Sequence, residues 1–342
     1  MGNASTKEVI KGFDLTKFVL SFFVVAIHTE LFGEYIHPIV RIAVPLYFIM
    51  SSYIFFENLK GKDSKENNQI LKKYIRRNLL LYLFWFIVLL PITIIEKGYF
   101  SMGWLGLVKF LINLTVGSTF YASWYIMAQV EAMLLLYLLS KFLKDRYIAF
   151  IAIIFFITCL LTSNYSYLIV QDISNIESSR PSIGTIFPPN SFILGFVFCF
   201  IGKILSRYFH IFKELNAKKT MILIILSLIF LFIEEYLLKI YHLPRFSNDT
   251  YIFLIPLSIF IFILVGNMKL EIRLFKELRN LSIIIYCLHF SMYLLINKMF
   301  ISLSMFDYMN IFRYAMTILI CIAIGILIIQ LSKKVKLLRY FY

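Results

Sequence analysis

Residues 220–238 read TMILIILSLIFLFIEEYLL, a nearly unbroken apolar run. A helix needs about 20 such residues to cross a hydrocarbon core about 30 Å thick. Comparable runs recur along the chain and are separated by short polar stretches. This pattern predicts an all-α fold, a polytopic bundle of transmembrane helices.

The composition favours the same class of protein. Hydrophobic residues make up 61% of the 342 and charged residues only 15%, and the mean hydropathy is positive. A soluble domain of this length could not bury so much apolar surface. The polar N-terminal residues lack a cleavage site, so we expect the first apolar run to remain as a helix. We expect a single domain over residues 1–342.

Hydropathy predicts ten spans. A further stretch, 105–116, is too short and too polar to cross the membrane and is predicted to be an interfacial or re-entrant helix on the outer side. The ten predicted spans are residues 13–32, 40–57, 78–96, 123–140, 147–165, 186–203, 220–238, 250–267, 281–300 and 313–331.

The basic residues orient these spans, because Lys and Arg collect in the cytoplasmic loops of short-looped membrane proteins. With ten spans and a cytoplasmic N-terminus, 26 of the 34 Lys and Arg residues fall in cytoplasmic segments. One span more or fewer would invert every later loop. The distribution therefore predicts that both termini are cytoplasmic. It also explains the net charge of +15 without nucleic acid as a partner.

His28 is the first candidate for a functional residue, because an ionisable group inside a span is costly and needs a partner or a task. It lies about 22 Å along the first span, toward the outer end. Asp14 and Lys17 share its helical spacing. A histidine suits general-base catalysis of attack by a hydroxyl group. The alternative is a packed histidine bonded to a backbone carbonyl.

Arg41 and Glu131 complete the predicted catalytic set. Arg41 opens the second span and could bind a carboxylate, a phosphate or a developing oxyanion, or it could anchor the helix at the interface. Glu131 lies in the middle of the fourth span near Gln129. At that depth the carboxylate is either protonated or paired, and a cationic partner would have to come from another helix.

A basic stripe precedes the third predicted span. Lys72, Lys73, Arg76 and Arg77 follow the spacing i, i+1, i+4, i+5 on one side of a helix. Such a stripe can hold anionic lipid headgroups or the phosphates of coenzyme A. The spacing does not choose between these two ligands.

Other chemistry has no signature in the sequence. It contains no P-loop, dinucleotide-binding, serine-hydrolase or metal-ligand motif, and we expect no metal. The four cysteines are scattered singly inside apolar runs and are interpreted as small core residues.

Four segments resemble, in the right order, the acyltransferase-3 family of bacterial membrane proteins. They are FDLTKFVLSFFVVAIHTE at 13–30, RIAVPLYFIMSSYIFFENLK at 41–60, SWYIMAQVEAMLLLYLL at 123–139 and LSIIIYCLHF at 281–290. The residues that match the family's motifs are His28, Arg76, Arg77, Trp124, Tyr125, Ser282, Tyr286 and His289.

The resemblance implies transfer of an acyl group, usually acetyl, from cytoplasmic acetyl-CoA to a hydroxyl of a cell-envelope or exported polysaccharide. The expected location is the bacterial cytoplasmic membrane. The expected partners are membrane lipid, acetyl-CoA and a polysaccharide or glycolipid acceptor, and a homo-oligomer is left open. His28 would be a general base or a transient acyl carrier, and the basic stripe would bind coenzyme A. The residues predicted to bind the acceptor substrate are Trp124, Tyr125, Arg180, Tyr286 and His289.

The sequence departs from the family pattern at two positions. Many members have an Arg eleven residues before the histidine, where Lys17 stands here, and Lys lacks the bidentate geometry of Arg. Ser52 replaces the glycine of an S-G-Y motif, and that glycine would permit close helix approach. The 342 residues also hold no esterase-like domain, so we expect transfer to finish in the membrane domain or on a separate partner.

A second resemblance provides a rival function. The stretch FIEEYLLKIYHLPRFSNDTYIFLIPLSIFIFIL at 232–264 is similar to the membrane half of vancomycin-resistance serine racemases, a half associated with serine transport. The alternative is therefore a transporter of serine-like amino acids. A structural or export component of a polysaccharide system is a third class.

Overall fold

The computed structural model describes residues 2–29, 31, 33–99, 103–116, 120, 123–169, 191–212, 215–241, 247–268, 274–302 and 310–342. Within these residues the chain forms twelve α-helices and no strand, which confirms the predicted all-α fold. Short 3-10 helices cover Ser166–Leu168 and Lys336–Phe341. The α-helices are α1 (Gly2–Thr29), α2 (Gly33–Val40), α3 (Ala43–Leu59), α4 (Ser64–Lys97), α5 (Gly103–Val116), α6 (Trp124–Phe142), α7 (Asp145–Leu161), α8 (Phe192–Phe212), α9 (Ala217–Ile240), α10 (Leu254–Asn267), α11 (Phe275–Ser302) and α12 (Asn310–Leu331).

Eight helices in the described part of the chain are long and apolar enough to cross a membrane. They overlap eight of the ten predicted spans, and residues 186–190 of the predicted span 186–203 lie outside the described residues. The other two predicted spans, 147–165 and 250–267, coincide with α7 and α10, which have 17 and 14 residues. The stretch 105–116 forms α5, as predicted, and its interfacial position stays a prediction. The number of crossings and the cytoplasmic location of the termini also stay predictions.

Helix α4 begins well before the predicted span 78–96. Asp63 and Glu66 cap its N-terminus reciprocally: the Glu66 N–H donates to Asp63 Oδ1 at 2.7 Å, and the Asp63 N–H donates to Glu66 Oε2 at 3.3 Å. This capping box satisfies two backbone donors that the first turn would leave without partners. The basic stripe therefore lies on a continuous helix, as its spacing predicted.

The short helix α10 is preceded by backbone donors that a side chain of α9 satisfies. Glu234 accepts hydrogen bonds from the Ile252 N–H at 2.8 Å and the Phe253 N–H at 3.1 Å. The Tyr165 hydroxyl donates to the same carboxylate at 2.7 Å. A backbone N–H without a partner is costly in a membrane. Glu234, which is 6% exposed, therefore has a structural role at the start of α10.

The chain folds into two compact units. Unit 1 comprises Met1–Val40, Lys73–Met127 and Lys269–Tyr342, and unit 2 comprises Arg41–Lys72 and Ala128–Met268. Two of the four boundaries fall inside α4 and α6, and the other two follow α2 and α10. The single domain predicted over 1–342 stays a prediction.

In unit 1, α1 packs against α11 and α12, which also pack against each other. Gly325 allows the close contact of α12 with α11, since a Cβ there would lie 2.7 Å from Leu281 Cδ2. The C-terminal 3-10 helix is held on α4. The Trp85 indole N–H donates to the Phe341 carbonyl at 3.0 Å, and the two rings pack edge to face at 4.8 Å.

In unit 2, the main contact joins α3 and α8. A Cβ on Gly202 would lie 2.5 Å from the Ile49 carbonyl oxygen and 2.9 Å from Ser52 Cβ. The buried Ser52 hydroxyl donates to the Cys199 carbonyl at 2.6 Å. Ser52 is thus compatible with close helix approach, because the required glycine stands on the opposite helix and the hydroxyl has an acceptor.

Candidate active site

Two histidines meet in unit 1. The ring centroids of His28 on α1 and His289 on α11 lie 5.1 Å apart, with their planes inclined by 37°. Phe290 packs edge to face against His28 at 5.0 Å. His28 is half-buried, and His289 is fully buried. The sequence predicts separate catalytic and substrate-binding roles for these residues, and the structure places them side by side.

The surroundings of His289 define its tautomer. Its Nδ1 lies 2.7 Å from the Tyr286 carbonyl oxygen and 3.2 Å from that of Ile285. Because a carbonyl only accepts, Nδ1 is assigned the proton, and Nε2 of the neutral ring is an acceptor. Within the described residues, this buried Nε2 has no hydrogen-bond partner. The ring can therefore accept a hydrogen bond from a ligand at low cost.

Aromatic residues extend this histidine pair. The Tyr286 ring lies 6.1 Å from His289, Tyr125 lies 5.5 Å from Tyr286, and Trp124 lies 6.4 Å from Tyr125. Both residues from the first turn of α6 are half-buried. Aromatic rings with polar tips offer apolar faces and hydrogen bonds together. Four of the five predicted substrate-binding residues thus lie in one chain of contacts, and the fifth, Arg180, lies outside the described residues.

A cation cluster lies nearer the N-terminal ends of α1 and α11. We define it as Lys17, Arg77 and Arg279, which interact electrostatically with one another and with Asp14. Asp14 is 5% exposed, and its single carboxylate does not offset three cations. The Nε of Arg279 is buried and has no hydrogen-bond partner within the described residues. The cluster therefore has the charge to bind an anion.

The cation cluster and the histidine pair are connected by the same two helices. His28 follows Lys17 by eleven residues on α1, and His289 follows Arg279 by ten on α11. Either spacing corresponds to about 15 to 17 Å along the axis. Sequence reasoning missed Arg279. Its spacing from His289, which nearly repeats that of Lys17 from His28, is the signal that could have indicated it.

The four residues of the basic stripe are all exposed on α4. Arg77 is the member that also joins the cation cluster. Lys72, Lys73 and Arg76 stand within two turns of it on the same helix. An anion held by Arg77 would therefore find further donors next to it on α4.

The two other predicted catalytic residues belong to unit 2. Arg41 forms an ion pair with Asp249, and the two side chains are 19% and 10% exposed. Glu131 is half-buried and forms no hydrogen bond or ion pair with any side chain the structure describes. Gln129 is buried and donates to Cys199 Sγ at 3.4 Å. Catalytic roles for Arg41 and Glu131 stay predictions.

Metal chemistry and thiol chemistry have few candidate residues. In the described ranges, no three His, Cys, Asp or Glu side chains are grouped so that they could hold a metal ion. The thiols of Cys159, Cys199, Cys287 and Cys321 are free and buried. The site is therefore described by imidazole, aromatic and cationic groups.

Comparison with known proteins identifies the family of the chain. A family model described as an acyltransferase domain, that of the acyltransferase-3 family, matches residues 10–330. Two relatives from Enterococcus faecalis, both named amino-acid racemase, are 25% identical over 305 residues and 27% identical over 205. These alignments cover 83% and 55% of this chain but only 41% and 28% of the relatives. The chain thus spans less than half the length of these curated relatives.

Solved structures give no significant match. The family match covers nearly the whole chain and agrees with the apolar helices of the fold. The chain therefore belongs to the acyltransferase-3 family and is a multi-pass membrane protein.

Proposed function

We propose that the protein is an O-acetyltransferase of the bacterial cytoplasmic membrane. It moves an acetyl group from cytoplasmic acetyl-CoA to a hydroxyl of a cell-envelope or exported polysaccharide. The observation that carries this proposal is the contact of His28 with His289. It joins a half-buried imidazole that can take a proton to a buried ring with an acceptor nitrogen.

In the proposed reaction, His28 takes the proton of the acceptor hydroxyl while the hydroxyl oxygen attacks the thioester carbon. The carbon–sulfur bond breaks, and the departing thiolate of coenzyme A takes the proton from the imidazolium. In the acyl-carrier variant, the His28 imidazole attacks the thioester first, and the carbon–sulfur bond breaks to release the thiolate of coenzyme A. The acetyl group then passes from the imidazole to the hydroxyl oxygen, and the hydroxyl proton goes to the thiolate. Both routes give an acetyl ester and free coenzyme A.

The donor is assigned to the cation cluster and to Arg76. Guanidinium groups bind phosphates in bidentate geometry, and two of them stand here with Lys17. An extended phosphopantetheine arm can cover the distance of about 15 Å from this cluster to the histidine pair. Under the predicted orientation, the phosphates bind from the cytoplasm and the thioester reaches toward the outer side.

The acceptor is assigned to the aromatic residues beside His289. A sugar can place its apolar face on Tyr125 or Trp124 and donate a hydroxyl to a nearby acceptor. His289 Nε2 has the free acceptor capacity for such a bond. These residues support a carbohydrate acceptor.

The experiment uses the purified full chain in liposomes with labelled acetyl-CoA and a panel of envelope polysaccharides and glycolipids. We expect ester-linked label in at least one acceptor, and loss of this label with His28→Gln. A matched control is His210→Gln, because His210 is exposed on α8 in the other unit. Unchanged transfer by a normally folded His28→Gln protein would exclude the proposed chemistry.

The resemblance of residues 232–264 to the membrane half of serine racemases supports a second candidate function, a transporter of a serine-like amino acid, and two relatives are named amino-acid racemase. The same liposomes decide between the two. Accumulation of labelled serine without any acetylated product supports the transporter. Acetyl transfer without serine accumulation supports the enzyme.

A further inference from the structure

Unit 2 contains a cavity of about 560 Å³ where α3, α4, α6, α7 and α8 come together. Its volume exceeds that of a single phosphate group. The charged residues of its lining are Lys141, Lys144, Asp145, Lys203 and Arg207, and Asn67 contributes an amide. Four cations therefore face one carboxylate around this cavity.

That carboxylate is already used. Asp145 accepts a hydrogen bond from the Lys203 ammonium at 2.7 Å through Oδ1, and its Oδ2 pairs with Arg207. The Lys203 ammonium also donates to the Ser140 hydroxyl at 2.7 Å, and its residue is only 8% exposed. One negative charge thus serves two cations, and the cavity keeps a positive excess.

The remaining two cations have no acidic partner in the described structure. Lys141 donates to Asn68 Oδ1 at 2.8 Å and lies 4.7 Å from the Tyr137 ring centroid, and neither contact neutralises its charge. Lys144 is exposed at the N-cap of α7. Its side chain does not cap that helix. The positive end of the helix dipole therefore adds to the positive potential in the cavity.

Asn67 provides an independent indication of a ligand. Its Oδ1 is buried and lacks a hydrogen-bond partner in the part of the chain that the structure describes. The amide nitrogen donates to the Lys62 carbonyl at 3.4 Å, which favours this orientation of the amide. A buried acceptor of this kind needs a donor, which a fully ionised phosphate group does not carry. The cavity therefore fits an anion that also carries N–H or O–H groups.

We propose that this cavity binds a phosphate-bearing anion that also carries hydrogen-bond donors. Lys141 and Lys144 would contact the phosphate, and Asn67 would accept from the donor group. Two sources have this chemistry, namely the headgroup of an anionic lipid and the nucleotide part of a coenzyme-A-type molecule. The proposal is independent of the donor residues Arg76 and Arg77, and it holds whether or not they bind acetyl-CoA.

The competing explanation is that these lysines only orient the protein in the membrane, as basic residues near spans commonly do. Orientation requires charge on the correct side but no particular ligand. Loss of the two lysines would then change no binding constant. This difference makes the proposal testable by binding measurements on the purified full chain.

The test uses two probes, adenosine 3′,5′-bisphosphate and dioctanoyl phosphatidylglycerol, titrated by calorimetry in a non-ionic detergent. The variant is Lys141→Ala/Lys144→Ala. Its matched control is Arg146→Ala/Lys218→Ala, which removes the same charge from exposed residues of unit 2 that do not line the cavity. Elution volume and Tm establish that each protein is folded, and Lys144→Ala alone serves if the double variant is not.

We expect the wild-type protein to bind at least one probe, and the double variant to bind it at least about tenfold more weakly. The control should keep the wild-type affinity. The probe whose affinity falls in the double variant and not in the control identifies the source of the phosphate. Failure of both probes to bind, or equal loss of affinity in variant and control, would overturn the proposal.

Discussion

The imidazole of His28 packs against the imidazole of His289 with 5.1 Å between ring centroids, across the contact of α1 with α11. The His289 ring is held by two carbonyl oxygens of its own helix and is fully buried, so its orientation is restricted. His28 is half-buried and more accessible. The buried ring therefore provides a fixed surface against which the accessible ring is positioned, an arrangement that suits a catalytic imidazole.

The first prediction concerns His28. His28→Gln should lower acetyl transfer by about 10²- to 10⁴-fold, the usual contribution of a general base. Its Tm should change little, because glutamine retains a polar side chain at a half-buried position. Initial rates with labelled acetyl-CoA measure the effect. His210→Gln, at an exposed position, should keep the wild-type rate, and an equal loss in both variants would count against a specific role.

The second prediction concerns the basic stripe. Arg76→Ala/Arg77→Ala should weaken coenzyme A binding at least about tenfold, since two charge-assisted hydrogen bonds to phosphate are lost. Calorimetric titration of the solubilised protein measures it. Lys333→Ala/Lys334→Ala removes the same charge from exposed residues just after α12 and should leave binding unchanged. Wild-type affinity for coenzyme A in the Arg variant would indicate that the stripe binds lipid headgroups instead.

Hydropathy predicted the helices well because the thickness of the hydrocarbon sets the length of an apolar run. The start of α4 could not be found in this way, because residues 64–77 are polar and their helix depends on the Asp63 and Glu66 cap. The 14-residue α10 falls short of a full span, and its preceding turn relies on Glu234 from another helix. Contacts between distant helices leave no periodic signal in the sequence.

The candidate site was likewise predictable only in part, because some of its features depend on contacts between distant helices. His28 was predictable because an imidazole in an apolar run is costly and therefore needs a reason. Its neighbour His289 was quoted as a motif residue, but their contact depends on how α1 packs on α11. Arg279 was missed because its significance comes from Lys17 and Arg77 on other helices. The partner of Arg41, Asp249, is equally remote in sequence.

The third prediction concerns the contact of α3 with α8. Gly202→Ala should lower stability by about 1 to 3 kcal/mol, because its new Cβ would stand 2.5 Å from a backbone oxygen of Ile49. A loss of stability would be informative, because helix propensity alone predicts that alanine stabilises a helix relative to glycine. Ser52→Ala removes one buried hydrogen bond and should cost only about 1 kcal/mol. The midpoint of thermal unfolding in detergent compares them, and a Gly202→Ala protein as stable as wild type would contradict the packing.

The last prediction separates a structural role of Arg41 from a catalytic one. Asp249→Ala leaves a mostly buried guanidinium without its carboxylate and should destabilise unit 2 by about 2 to 4 kcal/mol. In Arg41→Ala/Asp249→Ala both charges are absent, so much of that stability should return. If Arg41 only holds Asp249, acetyl transfer returns together with the Tm. If Arg41 stabilises a developing oxyanion, one of the roles that the sequence leaves open, the double variant regains its Tm while the rate stays low. Measuring rate and Tm on the wild type and on these two variants therefore assigns the residue, because a purely structural ion pair cannot separate the two quantities.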